Sequence, residues 1–530
     1  MKKYFTFYLT LSAILFSYSC KKETTIEPVP PPPPAPPVEV GRAYYLSQEG
    51  NNSGAGTLAD PWKTIDRLNQ ETLKPGDRIL FKGGETFAGT INLDSSDHGT
   101  PDYPLLLSSY GNGKAQISSS NNEGLKMSYS HDIRIERINF AGSGRKSGNK
   151  SSGVDIMRSH DIEIDSLDIE GYQKSGLLIN SSSFVRATTI LAHDNGFAGI
   201  YVSGENNRQD CYQIYIGNCR AENNPGDPTE LYDQSGNGIL VVLCRRVTVE
   251  YCVATNNGWD MPWNGNGPVG IWACRADSVV IQRCISYRNK TSPGAEDGGG
   301  FDLDGGVTNS YIQYCLSYEN QGAAFGIFQY DEAGPWDNNV FRYNISQNDG
   351  LVTTARAGAF IWNGTNDPKQ FSRCYFYNNV IYNTNGAALN FADESALSDF
   401  YFCNNIFVAK DNLLVGNYNN SAFYGNDWWS MSNGFNVNGV TNFTQWAQVA
   451  KKEMLNNQLT GYQVEPRFAN PGSAIVTDPG TLKSFLDYKI TDNPGFLYSG
   501  VDLQSLLAID PGPTDFNQKP VARNSIGASF

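Results

Sequence analysis

Residues 297–306 read DGGGFDLDGG. Three carboxylates, Asp297, Asp302 and Asp304, stand among five glycines and little bulk. Asp is disfavoured in strands, and two like charges on one strand face repel. If FDL is a strand, Asp302 and Asp304 share a face with Cα atoms about 6.5–7 Å apart. Glycoside hydrolysis uses two carboxyls roughly 5–9.5 Å apart, one as acid and one as nucleophile or base. Crowding of like charges raises one pKa and so creates the acid. Asp297 and Asp331 are reserve members of such a set. A calcium ion held by Asp297, Asp302 and Asp304 is the competing use, since calcium takes six to eight oxygen ligands. The plainest reading of Asp297-Gly298 is a turn.

The elements that must position these acids are repeats. IYIGNCRAENN (214–224), VTVEYCVATNN (247–257), VVIQRCISYRN (279–289) and SYIQYCLSYEN (310–320) superpose without gaps. NVFRYNISQND (339–349) continues them, YFYNNVIYNT (375–384) follows more loosely, and VRATTILAHDN (185–195) precedes them. Units roughly 30 residues apart are on the scale of solenoid coils. Cys219, Cys252, Cys284 and Cys315 share one column, which Asn344 and Asn379 then take over. Asn195, Asn224, Asn257, Asn289 and Asn320 fill a second. Asn tolerates left-handed turns, and stacked amides can bond from coil to coil. The cysteines are expected to pack as small hydrophobes rather than to cross-link.

A second strand line follows each Asn turn: GIYVSG (199–204), GILVVL (238–243), GIWACR (270–275), GFDLDG (300–305), GIFQYD (326–331) and AFIWNG (359–364). Alternation puts Ile200, Ile239, Ile271, Phe301, Ile327 and Ile361 inside, followed by Val202, Val241, Ala273, Leu303, Gln329 and Asn363. Asp302 and Asp304 then point out. Trp272 and Phe328 are expected one coil below and above Asp302, with Tyr330 above Asp304 and Trp362 further along. Such rings suit the faces of sugars. The longest loops (225–237, 258–269, 290–299 and 331–339) flank this line and should wall a groove. Trp259, Trp263 and Trp336 on those loops are further candidate sugar contacts. Arg356 is as readily structural as substrate-binding.

Coils with strands stacked on their equivalents make a parallel β-helix, right-handed as parallel crossovers are. The repeats resemble those of the right-handed β-helix, pectate-lyase-like superfamily. The opening stretch supports the resemblance: residues 44–93 hold Gly-Thr-x-x-x-Pro-Trp-x-Thr-Ile, a short capping helix around 62–71 and the PGDRILFKGG strand. NSIGASF (524–530) is similar to the usual ending. The resemblance implies an all-β solenoid that acts on carbohydrate, but not which reaction, because this fold hosts several. The acids also resemble the Asp-rich strand centres of polygalacturonase-type hydrolases. The Gly-His-Gly and Arg-Ile-Lys stretches of those enzymes are missing, which counts against polygalacturonase activity itself. A lyase of the superfamily would need a basic residue, for which Arg275 and Lys290 are the nearest, and often calcium. A non-catalytic glycan-binding or adhesive β-helix would keep the aromatics without needing the acids.

The remaining sequence bounds the setting. The 530 residues are rich in Gly (53) and aromatics (12%) and low in charge (18%), which suits many short strands. A net charge of −14 excludes a basic nucleic-acid-binding surface as the main business of the chain. Four histidines leave a His-based metal site or a Ser-His-Asp triad poorly supported. Residues 1–19 read as a signal peptide: Lys2 and Lys3, a short apolar core, then Ser19 before Cys20. Cys20 is the expected lipidation site, with Ser17 where Leu is usual, and 20–42 is a proline-rich tether. The expected layout is therefore a monomeric β-helix (43–410) and a C-terminal capping region (411–530). A lipid anchor would hold it on the membrane of a bacterial cell envelope, where its partner is a polysaccharide or oligosaccharide.

Overall fold

A computed structural model describes residues 41–530 other than 206–209, 353–356, 394–395, 474, 492–496 and 522. The signal peptide, Cys20, most of the tether and Arg356 lie outside the described residues.

Gly41–Phe530 is one compact unit. Three long parallel sheets of fourteen, thirteen and twelve strands run its length, and after the opening pair Ala43–Leu46 and Arg78–Lys82 the neighbours in each are every third strand of the chain. One coil thus gives one strand to each sheet. The first sheet starts at Ala43–Leu46, the second at Thr86–Ala88 and the third at Ile91–Leu93. This is the expected right-handed parallel β-helix. The predicted inward residues Ile200, Ile239, Ile271, Phe301, Ile327 and Ile361 are all fully buried. Their period of two along each strand, with Tyr201, Leu240, Trp272, Asp302, Phe328 and Trp362 on the opposite face, is what fixes each strand's orientation.

The columns behave as their chemistry requires. All nine cysteines of the described chain are buried and free, and the Sγ atoms of Cys219, Cys252, Cys284 and Cys315 lie against backbone carbonyls. The asparagines form a directional ladder. Asn224 Nδ2 donates to Asn257 Oδ1 (2.9 Å), Asn257 to Asn289 (2.9 Å), Asn289 to Asn320 (3.0 Å), and Asn320 to the carboxylate of Asp349 (2.8 Å). A second ladder takes over the cysteine column: Asn344 donates to Asn379, Asn379 to Asn405, Asn405 to Asn426, and Asn426 to Glu453 (2.6 Å). Asp349 and Glu453 are wholly buried, and burial pushes each up to about 7.

The ends differ from the expected outline. The N-terminal helix is one turn, Ile65–Leu68, capped by the Thr64 hydroxyl, while Trp62 beneath it is buried. Coils continue past residue 410 to the strand Asp427–Ser430. The expected C-terminal helix forms over Phe443–Ala450 and packs Trp446 on Trp428 of the last coil. Later segments run back along the flank: Tyr488 Oη bonds Gln347 (2.9 Å), and Asn378 bonds Ser525 O (2.7 Å). The region therefore covers apolar residues of the sides, such as Ile285 and Leu316, as well as the open end.

Candidate active site

The strand Gly299–Leu303 holds the acids on the third sheet, between Val269–Cys274 and Phe325–Gln329. Phe301 and Leu303 fill the core, so Asp302 faces outward. Asp304 follows the strand's last residue, and its amide is fixed on Ala273 O (2.9 Å). Asp297 enters the strand from a left-handed turn (φ 57°), and its Oδ2 accepts the Gly267 amide (2.8 Å).

The register above Asp302 differs from the expected one by two residues. Trp272 pairs with Asp302 below, as expected, but Gly326 rather than Phe328 pairs with it above. A Cβ at Gly326 would stand 2.8 Å from the Asp302 carboxyl and 3.0 Å from the Phe328 ring. The absence of that atom is what lets the Asp302 side chain fold over the sheet. Val269, Phe301, Ala323 and Phe328 enclose Asp302 in a hollow of about 10 Å³, room for about one water. Asp302 is 2% exposed and its Oδ1 has no partner. Asp297 and Asp304 on either side are only half-buried.

Burial raises all three acids. Asp302 is pushed well up, first by desolvation and then by the charges of Asp304 and Asp297. Asp304 is pushed up to about 7 by burial and by Asp297, against the Gly305 amide, the Cys274 thiol and the Arg275 charge, which lower it. Asp297 is pushed up to about 6 by burial and the charge of Glu296, with the Gly267 hydrogen bond opposing. Asp331 is exposed in the turn beyond Tyr330, and its charge is not among those that raise these acids.

The aromatic candidates divide. Phe328 lines the hollow and packs edge-on against Phe360 (5.6 Å), and it pairs with Trp362, which is 37% exposed. These three make an aromatic shelf above the acids. Tyr330 meets Cys274 Sγ (3.2 Å) and lies under the Arg275 guanidinium (5.7 Å), so Arg275 and Tyr330 belong to the Asp304 end. Trp263 is half-buried, bonded to Asn266, which in turn bonds Asp233 of the neighbouring loop.

Two rings and one cation are not where the sequence suggests. Trp272 is buried in an outward satellite cluster with Leu240, Val269 and Cys274, and its indole N–H goes to Asn237 (2.9 Å). Trp336 is a core residue. It opens the strand Trp336–Arg342, packs on Phe371 and Phe400, and donates to Leu303 O (2.7 Å). Its neighbours Pro335 and Asp337 give it the look of a loop residue, but the first sheet begins there. Lys290 lines a different groove, with Tyr287 and Glu319.

A calcium cage is not preformed at the three acids. The three acids do not bring a carboxylate oxygen each within 4.8 Å of one another; among the described residues only Glu170, His193 and Asp194 make such a group.

Gly326, Asn237 and Phe360 were not foreseen as parts of the site. Gly326 alone left a trace, as a glycine one position inside a strand, where close approach of another group is the usual reason.

Comparison with known proteins agrees with this architecture. Residues 44–353 match the Pel9A-like, right handed beta helix region. Over 283 residues, 51% of this chain, the sequence is 27% identical to lacto-N-biosidase of Bifidobacterium longum subsp. longum. That stretch spans only 16% of the relative's length. The fold is also similar to lacto-N-biosidase of Eubacterium ramulus (TM-score 0.47, 16% identity, 71% of this chain and 68% of that one). Pectate lyase Pel9A gives a TM-score of 0.44 at 14% identity, over 93% of this chain and 97% of that one. With more than half of its length matched to the family and its strands stacked as described, the chain belongs to the Pel9A-like right-handed β-helix family.

Proposed function

We propose that this chain is a carbohydrate-active enzyme of the glycoside hydrolase type, with Asp304 as general acid and Asp297 as the opposing carboxylate. The observation that carries the reading is the trio of raised acids at one strand beneath the Phe328–Phe360–Trp362 shelf. Asp297 and Asp304 are half-buried and so open to a ligand, whereas Asp302 is 2% exposed. The expected Asp302–Asp304 pair thus becomes Asp297–Asp304, with Asp302 held neutral between them. Asp304 hands its proton to the glycosidic oxygen as the bond breaks. Asp297, ionised, meets the positive charge that develops on the sugar ring, as nucleophile or through a water. The likeness to a lacto-N-biosidase supports hydrolysis of an oligosaccharide or polysaccharide. Elimination would have to use Arg275, at the Asp304 end, as its base, since Lys290 lines a different groove.

The test is turnover of a neutral and acidic glycan panel, reading reducing ends against ultraviolet-absorbing unsaturated ends. Reducing ends alone are expected. Asp304→Asn should lose about 10²–10⁴-fold, while Asp302→Asn stays within about tenfold, worth about 1.4 kcal/mol. Unsaturated products, or an Asp304→Asn variant as active as the parent, would overturn the assignment.

The same proposal places the enzyme on the bacterial envelope through Cys20, supported by the apolar N-terminal stretch and the proline-rich tether. Cys20→Ala is expected to move the protein from the membrane fraction to the soluble one. A variant that stays membrane-bound refutes the lipid anchor.

A further inference from the structure

A second feature lies at the turn between the second and third sheets. Six residues in successive coils there have left-handed backbones: Asp194, Asn223, Asn256, Arg288, Glu319 and Asn348, with φ between 53° and 56°. Each precedes a buried ladder position, yet each is itself exposed or half-exposed. At about 4.8 Å per coil they form a polar strip about 24 Å long.

The strip is internally tied. Asn223 Nδ2 donates to the Asp194 carboxylate, and Asn256 Nδ2 donates to Asn223 Oδ1 (3.0 Å). Arg288 pairs with Glu319 (2.7 Å). Asn223 Oδ1 also accepts the indole N–H of Trp259 (3.0 Å), which fixes a ring that remains 42% exposed. Two hollows open along this edge. One, of about 510 Å³, is bounded by Glu170, Asp194 and Trp259 with the hydroxyls of Ser143 and Ser147. The other, of about 800 Å³, is bounded by Asn256, Tyr287, Arg288, Glu319 and Asn348. Asn223, joined to Asp194 on one side and Asn256 on the other, connects them.

The chemistry points to one class of ligand. A fixed, partly exposed indole, with the Arg145 guanidinium 5.8 Å from its centre on one side, and a row of amides and hydroxyls offer stacking and hydrogen bonds at a regular repeat. Acids offset most of the nearby cations: Arg145 and Lys146 share Asp260 beside Glu170 and Asp194, and Arg288 pairs with Glu319, with Lys290 alone lining the edge without an ion pair among the described residues. That leaves little positive field for a polyanion. We propose that this strip is a second binding groove, for a neutral glycan chain lying along the axis of the β-helix. It shares no lining residue with the Asp302 hollow and does not depend on the reading of the acids.

Affinity electrophoresis of the full chain tests this, in native gels cast with neutral galactan, neutral xyloglucan or, as a charged control, polygalacturonate. At least one neutral polymer is expected to retard the protein. Trp259→Ala should weaken that retardation about fivefold or more, equivalent to about 1 kcal/mol. Trp259→Phe should recover part of it, and Asp304→Asn should be retarded as the parent is. Because Trp259 is exposed, the variants should melt with the parent. Unretarded migration in both neutral gels, retardation by polygalacturonate alone, an unaffected Trp259→Ala, or loss in Asp304→Asn instead would each overturn it.

Discussion

A carboxyl is an acid at neutral pH only if its surroundings keep the proton on it. Asp304 meets that condition through burial and the Asp297 charge, while Arg275 pulls the other way. Asp297 is raised less, to about 6, because the Gly267 amide stabilises its ionised form. Two carboxyls with separated pKa values divide the roles of acid and base. The sign follows directly. Activity should rise as pH passes about 6 and Asp297 loses its proton, then fall as pH passes about 7 and Asp304 loses its own. A kcat/KM profile on any cleaved glycan checks this. Arg275→Gln, which removes a charge that lowers Asp304, should carry the alkaline limb to higher pH; a limb that stays put or moves down removes Arg275 from the site.

At the scale of the strand, the lesson concerns register. The inside and outside of Phe325–Gln329 were legible from alternation alone, because a two-residue slip preserves face, whereas a one-residue slip reverses it. Matching GFDLDG to GIFQYD aligned Gly300 with Gly326. In the structure Ala324 takes the Gly300 position, one residue before the Phe301–Phe325 pair, and Gly326 meets Asp302. Alternation therefore put Asp302 on the outer face of this coil, but could not show the hollow under Phe328 that takes its side chain. Trp272 shows the same limit. Its outward parity was readable, while its burial beside Leu240 and its bond to Asn237 of the neighbouring strand were not. Gly326→Ala should expose the function of this position. The added methyl, 2.8 Å from the Asp302 carboxyl, should cost about 1–3 kcal/mol by overpacking. A lowered melting temperature with Asp302 displaced is expected; a variant as stable as the parent would mean that the carboxyl moves aside freely.

Across the whole molecule, stability is tied to pH through the ladder ends. Asp349 has a folded pKa of about 7, against about 3.9 for an unfolded Asp. Between these values the folded chain keeps a proton that the unfolded chain has lost. Its contribution is therefore fully present below about pH 4 and is lost as pH rises through about 7, on the order of a few kcal/mol. Asp349→Asn keeps an acceptor for Asn320 without the charge. Its melting temperature should match the parent near pH 4 and exceed it by pH 8. Parallel curves for the two proteins would show that the ladder end does not titrate with folding.

The ladders also have a polarity. Each asparagine gives an amide hydrogen to the side chain of the coil ahead and another to a backbone carbonyl of the coil behind, while its oxygen takes hydrogens from the coil behind, beginning with the Tyr172 amide on Asn195. Such a series can gain or lose a whole coil anywhere in its middle, because each unit passes on what it receives. Where it stops, the last amide still needs an acceptor, and a carboxyl supplies one with no coil ahead to pass a hydrogen to. Asp349 and Glu453 thus act as terminators that set where each ladder stops. A longer or shorter β-helix built from these repeats would have to carry its terminator with it to the new final coil.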